Sequence, residues 1–319
     1  MPIQWFPGHM HKARLELQAK LPKVNLVIEV LDSRIPYSSE NPLIGELRGD
    51  KPCLKVLAKR DLADEALTET WLDHFNSSIG IRAHAVTTDE VPTIRRIKSI
   101  IARMLPERQD RAINAMIVGI PNVGKSTIIN VLAGRKVAKT GNTPAVTRHQ
   151  QRVAIGDNIT LWDTPGMMWP NVHNPNSGYR LALLGSIKET AMDYADVAFF
   201  TARYMIGQYP ERLAERYGFD GTPETELEVV EAIGRKRGCL GRGNHVDIDR
   251  ASRILVTEFR QGAFGDLTLE TPKTMARERI QTEKAIAEKA ERDAAKDAKR
   301  KKRFRDKQRA KRKSREMNG

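Results

Sequence analysis

The chain is 319 residues long, carries 54 Lys and Arg against 40 Asp and Glu for a net charge of +14, and holds two cysteines. That length suits two domains with a large α/β core, while no apolar run is long enough to span a membrane and the opening segment lacks the basic-then-apolar order of a secretory signal. Cys53 and Cys239 match no metal spacing, so buried free thiols in a reducing cytoplasm are expected rather than a disulfide.

The charge is uneven. Residues 273–319 hold 19 Lys and Arg against 8 Asp and Glu, leaving the first 272 residues near neutral at about +3. The polyanion-binding signal therefore belongs to the tail.

In chain order, Trp5-Phe-Pro-Gly-His-Met10 forms an arm whose aromatic rings pack on the body and whose His9 reads, on chemistry alone, as an ordinary exposed histidine. A helix over Ala13–Leu21 ends at Pro22. The apolar run Val24–Leu31 is the first strong strand and delivers Asp32-Ser-Arg-Ile-Pro36. Such a turn at a strand's C-terminal end is where ligands sit in open α/β sheets; Asp32 and Arg34 either join that site or form a local salt bridge that shapes the turn. Cys53–Leu57 is the second strand, followed at once by Ala58-Lys-Arg-Asp61. A carboxylate there can accept from N1–H and N2–H₂ of guanine, a donor pair that adenine lacks, and Lys59 can lay its aliphatic stem over the base. Ala58 and Arg60 complete that contact segment. The competing role for Asp61 is the N-cap of a helix over Asp64–Phe75. The third strand, Ile81–Val86, ends at Thr87-Thr88, whose backbone N–H groups can meet a base edge, and a helix follows over Pro92–Leu105.

Met116–Val118 reads as a buried strand feeding Gly119-Ile-Pro-Asn-Val-Gly-Lys-Ser126, which fits G-x-x-x-x-G-K-[ST], and Ile128–Leu132 continue as a helix. Strand, glycine loop and helix N-terminus together capture a di- or triphosphate on backbone N–H groups. The contact candidates are Asn122, Val123, Gly124, Lys125, Ser126 and Thr127. Lys125 is expected to neutralise the β/γ-phosphates and the Ser126 hydroxyl to hold Mg²⁺. In the polar stretch Val137–Arg148, Thr147 is the candidate that closes on Mg²⁺ and the γ-phosphate, with Thr143 as competitor. Arg152–Ile155 and Asn158–Trp162 read as a hairpin that delivers Asp163-Thr-Pro-Gly166. Asp163 is expected to reach Mg²⁺ through water, and the Gly166 N–H to sense the γ-phosphate.

From about Asn176 the pattern turns helical, with apolar-rich stretches at Leu181–Ala191 and Asp196–Arg203, a capping box at Thr225–Glu228 and a helix capped by Asp247 and closed near Gly262. Arg235-Lys-Arg237 gives this part a small basic face or a plain solvated surface. It hangs directly from the γ-phosphate-sensing segment, so a loop ordered by triphosphate could reposition it. From Pro272 no face is apolar. The tail is expected to be disordered or a solvated helix when free, able to neutralise RNA phosphates.

The order of these parts is distinctive, because the base-reading segments Lys59/Asp61 and Thr87/Thr88 precede the phosphate loop that they follow in an ordinary GTPase. With Trp5-Phe-Pro-Gly-His-Met10, Asp32-Ser-Arg-Ile-Pro36, Pro121-Asn-Val-Gly-Lys-Ser126, Pro144-Ala-Val-Thr147, Asp163-Thr-Pro-Gly-Met-Met-Trp-Pro170 and Arg237-Gly-Cys-Leu240, the chain resembles the circularly permuted GTPases of the ribosome biogenesis GTPase A (YlqF) type over most of residues 1–272. The resemblance implies a circularly permuted P-loop GTPase domain over residues 1–175, a mostly parallel sheet with helices on both faces. A small all-α, RNA- or ribosome-contacting domain over 176–272 and the basic tail 273–319 follow. It implies hydrolysis of GTP to GDP and phosphate with Mg²⁺ and K⁺. The expected setting is a cytoplasmic monomer that serves maturation of the large ribosomal subunit, binds rRNA, and has neither DNA nor a membrane as partner.

The resemblance also assigns roles. Met167 stands where Ras-like enzymes keep a water-orienting glutamine, and His9 matches the family's proposed catalytic histidine. Asn122 matches a residue that helps bind K⁺, whose charge acts beside the phosphates. Since the His9 arm is expected to lie outside the core, isolated turnover should be slow until a ribosomal particle fixes it. The chain departs from the family at Ala58, where the N-K-x-D motif has asparagine; losing that amide is worth about 0.5–1.5 kcal/mol, with either guanine preference kept by Asp61 at weaker affinity or nucleotide selectivity relaxed. Two other classes stay open: a nucleotide-gated RNA-binding adaptor in which hydrolysis is incidental, and a P-loop ATPase or kinase, against which Asp61 and the permuted order argue.

Overall fold

The computed structural model describes residues 3–138, 151–156, 158–219 and 223–317, so Thr143 and Thr147 lie outside the described residues. The chain divides into two compact units, residues 1–272 and 273–319. The first begins with α1 (Gly8–Lys20), β1 (Leu26–Asp32), α2 (Pro36–Ser39), α3 (Pro42–Arg48), β2 (Cys53–Ala58), α4 (Glu65–Asn76), β3 (Ile81–Ala85) and α5 (Val91–Met104). It continues with β4 (Ile113–Gly119), α6 (Lys125–Ala133), β5 (Gln151–Ala154) and β6 (Ile159–Asp163).

These strands form one sheet in the order β3-β2-β1-β4-β6-β5, parallel except for β5, which lies antiparallel on β6 at one edge. The apolar runs explain the pairing: β1 and β2 are buried at every position, as strands within a covered parallel sheet are. Glu29 and Lys55, the charges inside them, are register partners 2.9 Å apart, so neither is buried alone. The chain lays down β1, β2 and β3 outward, then returns to the other side of β1 with β4. The strand order thus reverses between β1 and β4, and at such a switch point a crevice opens beyond the carboxyl ends of the strands. The permuted motif order does not disturb this, because the turns after β1, β2, β3, β4 and β6 all emerge at one end of the sheet.

The N-terminal arm is not outside the core, contrary to the expectation from sequence. α1 starts at Gly8 rather than Ala13, and Met10, Ala13 and Leu17, spaced along one helix face, are buried together with Ile3. The Gln4 side chain exchanges two bonds with the Val172 backbone, at 2.9 and 3.0 Å. Gly8, His9, His11 and Lys12 remain exposed.

α7 (Pro175–Leu183), α8 (Tyr194–Gln208), α9 (Pro210–Tyr217), α10 (Glu226–Lys236) and α11 (Ile248–Arg260) belong to the same unit as the sheet. The expected helix over Leu181–Ala191 is broken, because Gly185, at φ 76°, turns the chain two residues after α7 ends. Thr225 caps α10 by accepting from the Glu228 N–H (3.3 Å), and the Glu228 carboxylate takes the Glu224 N–H (2.9 Å). Asp247 caps α11 by accepting from the Arg250 N–H (3.0 Å). The second unit is helical, the body of α12 (Pro272–Met317), rather than a disordered coil. Its abundance of Ala, Glu, Lys and Arg gives it high helix propensity.

Candidate functional site

β4 runs directly into the phosphate loop. Gly119 has a φ of 148°, and a Cβ there would lie 2.5 Å from the Val30 carbonyl oxygen, so both conformation and space require glycine. Gly124, at φ 108°, starts α6, and the backbone N–H groups of Lys125, Ser126 and Thr127 form its first turn, the positive end of the helix. Val123 is buried beneath the loop. The Lys125 ammonium is buried and donates to the carbonyls of Gly119 (3.0 Å) and Ile120 (2.7 Å). Burial pulls it below the ordinary lysine value, with Asp163 opposing and Lys59 reinforcing the shift. The two carbonyls bring no counter-charge to the ammonium.

Asp163 ends β6 and is buried. Its Oδ2 accepts from Gln151 Nε2 at 3.4 Å, while its Oδ1 has no hydrogen-bond partner among the described residues. Burial raises this carboxyl above the usual aspartate range against the pull of Lys125. An orphaned carboxylate oxygen together with the half-buried Ser126 hydroxyl is an all-oxygen donor set that fits Mg²⁺. Gly166 lies hard against the phosphate loop: a Cβ there would meet Pro121 Cα at 2.8 Å and Lys125 Nζ at 3.3 Å. The Met167 N–H donates to the Gly119 carbonyl (3.2 Å), and Asn41 Nδ2 donates to the Met167 carbonyl (3.1 Å). The Met168 N–H points at Met10 Sδ (3.4 Å). His9 precedes Met10 on α1, is exposed, and has the Trp5 ring edge-on at 6.4 Å.

The base-reading candidates come together at the ends of β2 and β3. The Arg60 N–H donates to the Val86 carbonyl at 3.1 Å, which sets the Asp61 turn beside Thr87 and Thr88. Thr87 is buried with its N–H on Thr93 Oγ1 (3.4 Å), whereas Thr88 and Asp61 are exposed. Asp61 is not the cap of α4; Asp64 is, accepting from the Leu67 N–H at 2.8 Å. The Arg60 guanidinium faces Glu90 at 3.6 Å. The Lys59 ammonium donates to Asp32 Oδ2 (2.9 Å) and to the Asn122 carbonyl (3.0 Å), so it braces the phosphate loop. Ala58 is buried and offers no side-chain amide to the phosphate loop.

The Asp32 turn is shaped by a local salt bridge, one of its two expected roles. Arg34 clamps the Asp32 carboxylate with Nε and Nη2, each at 2.9 Å, and Lys59 links the same carboxylate to the loop. Burial alone would raise the Asp32 carboxyl, but Arg34 and Lys59 outweigh it and hold the group far below the usual range.

Three residues that sequence reasoning missed complete the surround. Asn122 Nδ2 donates to the Gly185 carbonyl (2.7 Å), and Ser186 Oγ donates to the Pro121 carbonyl (3.0 Å). Arg260 Nε and Nη2 donate to the carbonyls of Leu183 (2.7 Å) and Ala182 (3.0 Å). These contacts run through backbone carbonyls and leave no motif; the glycine inside an otherwise helical run was the one available cue. The Arg235–Arg237 face, in contrast, is engaged internally. Arg235 pairs with Glu231 (3.0 Å), Lys236 donates to the Arg216 carbonyl (2.9 Å) and Arg237 pairs with Glu258 (2.6 Å).

A family model described as a 50S ribosome-binding GTPase matches residues 114–217. Ribosome biogenesis GTPase A of Priestia megaterium is 43% identical over 282 residues, covering 85% of this chain and 98% of the relative. The protein of that name from Thermotoga maritima is 31% identical over 271 residues, covering 85% and 95%. The GNP-bound crystal structure of YlqF from T. maritima superposes with a TM-score of 0.59 at 28% identity, covering 82% of this chain and 98% of that one. On this sequence relationship and this site, the chain belongs to the ribosome biogenesis GTPase A family.

Proposed function

We propose that this GTPase works as a nucleotide-switched assembly factor for the large ribosomal subunit, acting in the cytoplasm as a monomer that binds rRNA. The observation that carries the reading is the double attachment of the phosphate loop. Lys59 bonds it on the base-reading side, and Gly185 and Ser186 bond it on the side of the helices. Residues 1–175 would form the catalytic part and residues 176–272 the ribosome-facing part, so a change at the γ-phosphate would shift both. The words "ribosome biogenesis" and "50S ribosome-binding" in the descriptions of the relatives and the family model, and the 19 Lys and Arg of residues 273–319, support the choice of partner.

On GTP binding, Lys125 would leave the Gly119 and Ile120 carbonyls for the β- and γ-phosphates. Ser126, Thr147 and, through water, Asp163 would hold Mg²⁺, which supplies positive charge at the phosphate oxygens. Asn122 Oδ1 would contribute to a K⁺ site, its amide orientation fixed by the Nδ2 bond to Gly185. Gly166 would present its N–H to the γ-phosphate, and Asp61 with Thr88 would read guanine. His9 would hold the attacking water, which Met167 cannot orient. The water oxygen bonds to the γ-phosphorus, the bond to the β–γ bridging oxygen breaks, and GDP and phosphate leave. His9 is exposed while its neighbour Met10 is anchored, so a particle that covers the arm would fix the water.

Co-sedimentation with purified large ribosomal subunits tests this reading. Retention with a non-hydrolysable GTP analogue and release with GDP is expected; sedimentation indifferent to the nucleotide would overturn it.

A further inference from the structure

The β3 edge of the sheet carries a groove that the nucleotide chemistry does not use. It measures about 1110 Å³ and is walled by the end of α4 and the turn after it, by β3 from Ile81 to His84, and by α5 from Arg96 to Met104. Arg82, Arg96 and Arg103 line it, and no Asp or Glu does. Among the described residues none of the three pairs with a carboxylate; the Arg82 guanidinium reaches the carbonyl of its neighbour Ile81 at 3.5 Å. Arg96 and Arg103 are two helical turns apart, which puts them on one face of α5 about 10 Å apart along the axis. Their field is felt at His84 in the groove wall. Burial first lowers this imidazole, a bond to the Thr93 carbonyl opposes, and Arg96, Arg60 and Arg103 lower it further.

A free sheet edge ordinarily invites another strand. Here the outward N–H groups of Ile81 and Ala83 are already taken, by the Ser78 carbonyl (3.2 Å) and by Asn76 Oδ1 (2.9 Å). A peptide therefore finds these two donors occupied. What the groove offers instead is guanidinium, whose planar donor fork matches phosphate oxygens.

We propose that this groove receives an RNA phosphate backbone and gives the GTPase body its own contact with rRNA, separate from the basic tail. The proposal rests on the ribosomal reading above. The groove runs along β3 from Ile81 to His84, whereas Thr87 and Thr88 follow the C-terminal end of the strand, so RNA and guanine nucleotide bind at separate places.

The test uses the GDP-loaded full-length protein and rRNA extracted from purified large subunits, with filter binding over about 50–300 mM KCl. Three lost phosphate contacts at roughly 0.7 each predict that R82Q/R96Q/R103Q lowers the slope of log affinity against log salt by about 2. An affinity loss of at least tenfold at the lowest salt and unchanged GDP affinity are expected with it. If the wild type binds rRNA and the variant matches it in slope and affinity, the groove proposal is overturned and the ribosomal reading stands. If the variant matches on rRNA but loses whole subunits, the occupant is an acidic protein and the RNA proposal is overturned. If the wild type binds no rRNA at all, the ribosomal reading falls and the groove proposal falls with it.

Discussion

Replacing Asp32 with asparagine keeps the shape of the β1 turn and removes one charge from the centre of a ring of bonds. Asp32 accepts two side-chain bonds from Arg34 and one from Lys59, all at 2.9 Å. The ring continues from Lys59 to the Asn122 carbonyl and from the Asn122 amide to Gly185. Arg260, which holds the end of α7, closes it by accepting at its carbonyl from Arg34 Nη1 (3.5 Å). An exposed ion pair would be worth about 0.2–1 kcal/mol. The Arg34 side chain, however, is only 3% exposed and its partner 2%, so the variant leaves a buried guanidinium uncompensated. That costs about 3–5 kcal/mol, a large part of the roughly 5–15 kcal/mol that holds a typical domain. The pH dependence has a definite sign. The folded carboxyl lies far below its unfolded value near 3.8, so its stabilisation is fully present above that value and lost as pH falls through the folded one. Urea unfolding of wild type and D32N should therefore differ by a constant amount between about pH 7 and pH 5 and converge only below about pH 4. A loss under about 1 kcal/mol at neutral pH, or a difference that fades between pH 7 and 5, would refute the reasoning.

G166A should slow single-turnover GTP hydrolysis at least tenfold, because its Cβ would sit 2.8 Å from the Pro121 backbone; wild-type rates would mean that this segment leaves the loop before chemistry. On the proposed K⁺ reading, hydrolysis should be faster in K⁺ than in Na⁺ for the wild type but not for N122A, and a variant still faster in K⁺ would remove Asn122 from the proposed site. R237A should lower stability by about 1 kcal/mol by breaking a half-exposed pair, while rRNA affinity stays within twofold. A tenfold affinity loss at unchanged melting temperature would instead restore that face as an RNA contact.

Long apolar runs made the strands legible: β1 and β2 are where Val24–Leu31 and Cys53–Leu57 suggested, because a covered parallel strand leaves a continuous hydrophobic signature. Caps with a side-chain acceptor, Thr225 and Asp247, were equally readable. α2, α3 and α9 were not, being short helices that begin at proline and take their stability from packing rather than from periodicity. Within the site, the phosphate loop carries a fixed spacing and could be read directly. The expectation that the Lys59 stem covers the base gave no hint that its ammonium ties Asp32 to the loop. Such bonds depend on tertiary proximity across about 60 residues and leave no local pattern. The same holds for the arm, whose burial rests on Met10, Ala13 and Leu17 meeting a surface built far along the chain.

The most direct test of the account is single-turnover GTP hydrolysis in K⁺ buffer, with and without purified large ribosomal subunits, for wild type and H9A. The account predicts that subunits accelerate the wild type, that H9A loses this acceleration, and that both bind GDP equally well. Equal rates in all four conditions would contradict it and leave a nucleotide-gated binder whose hydrolysis is incidental.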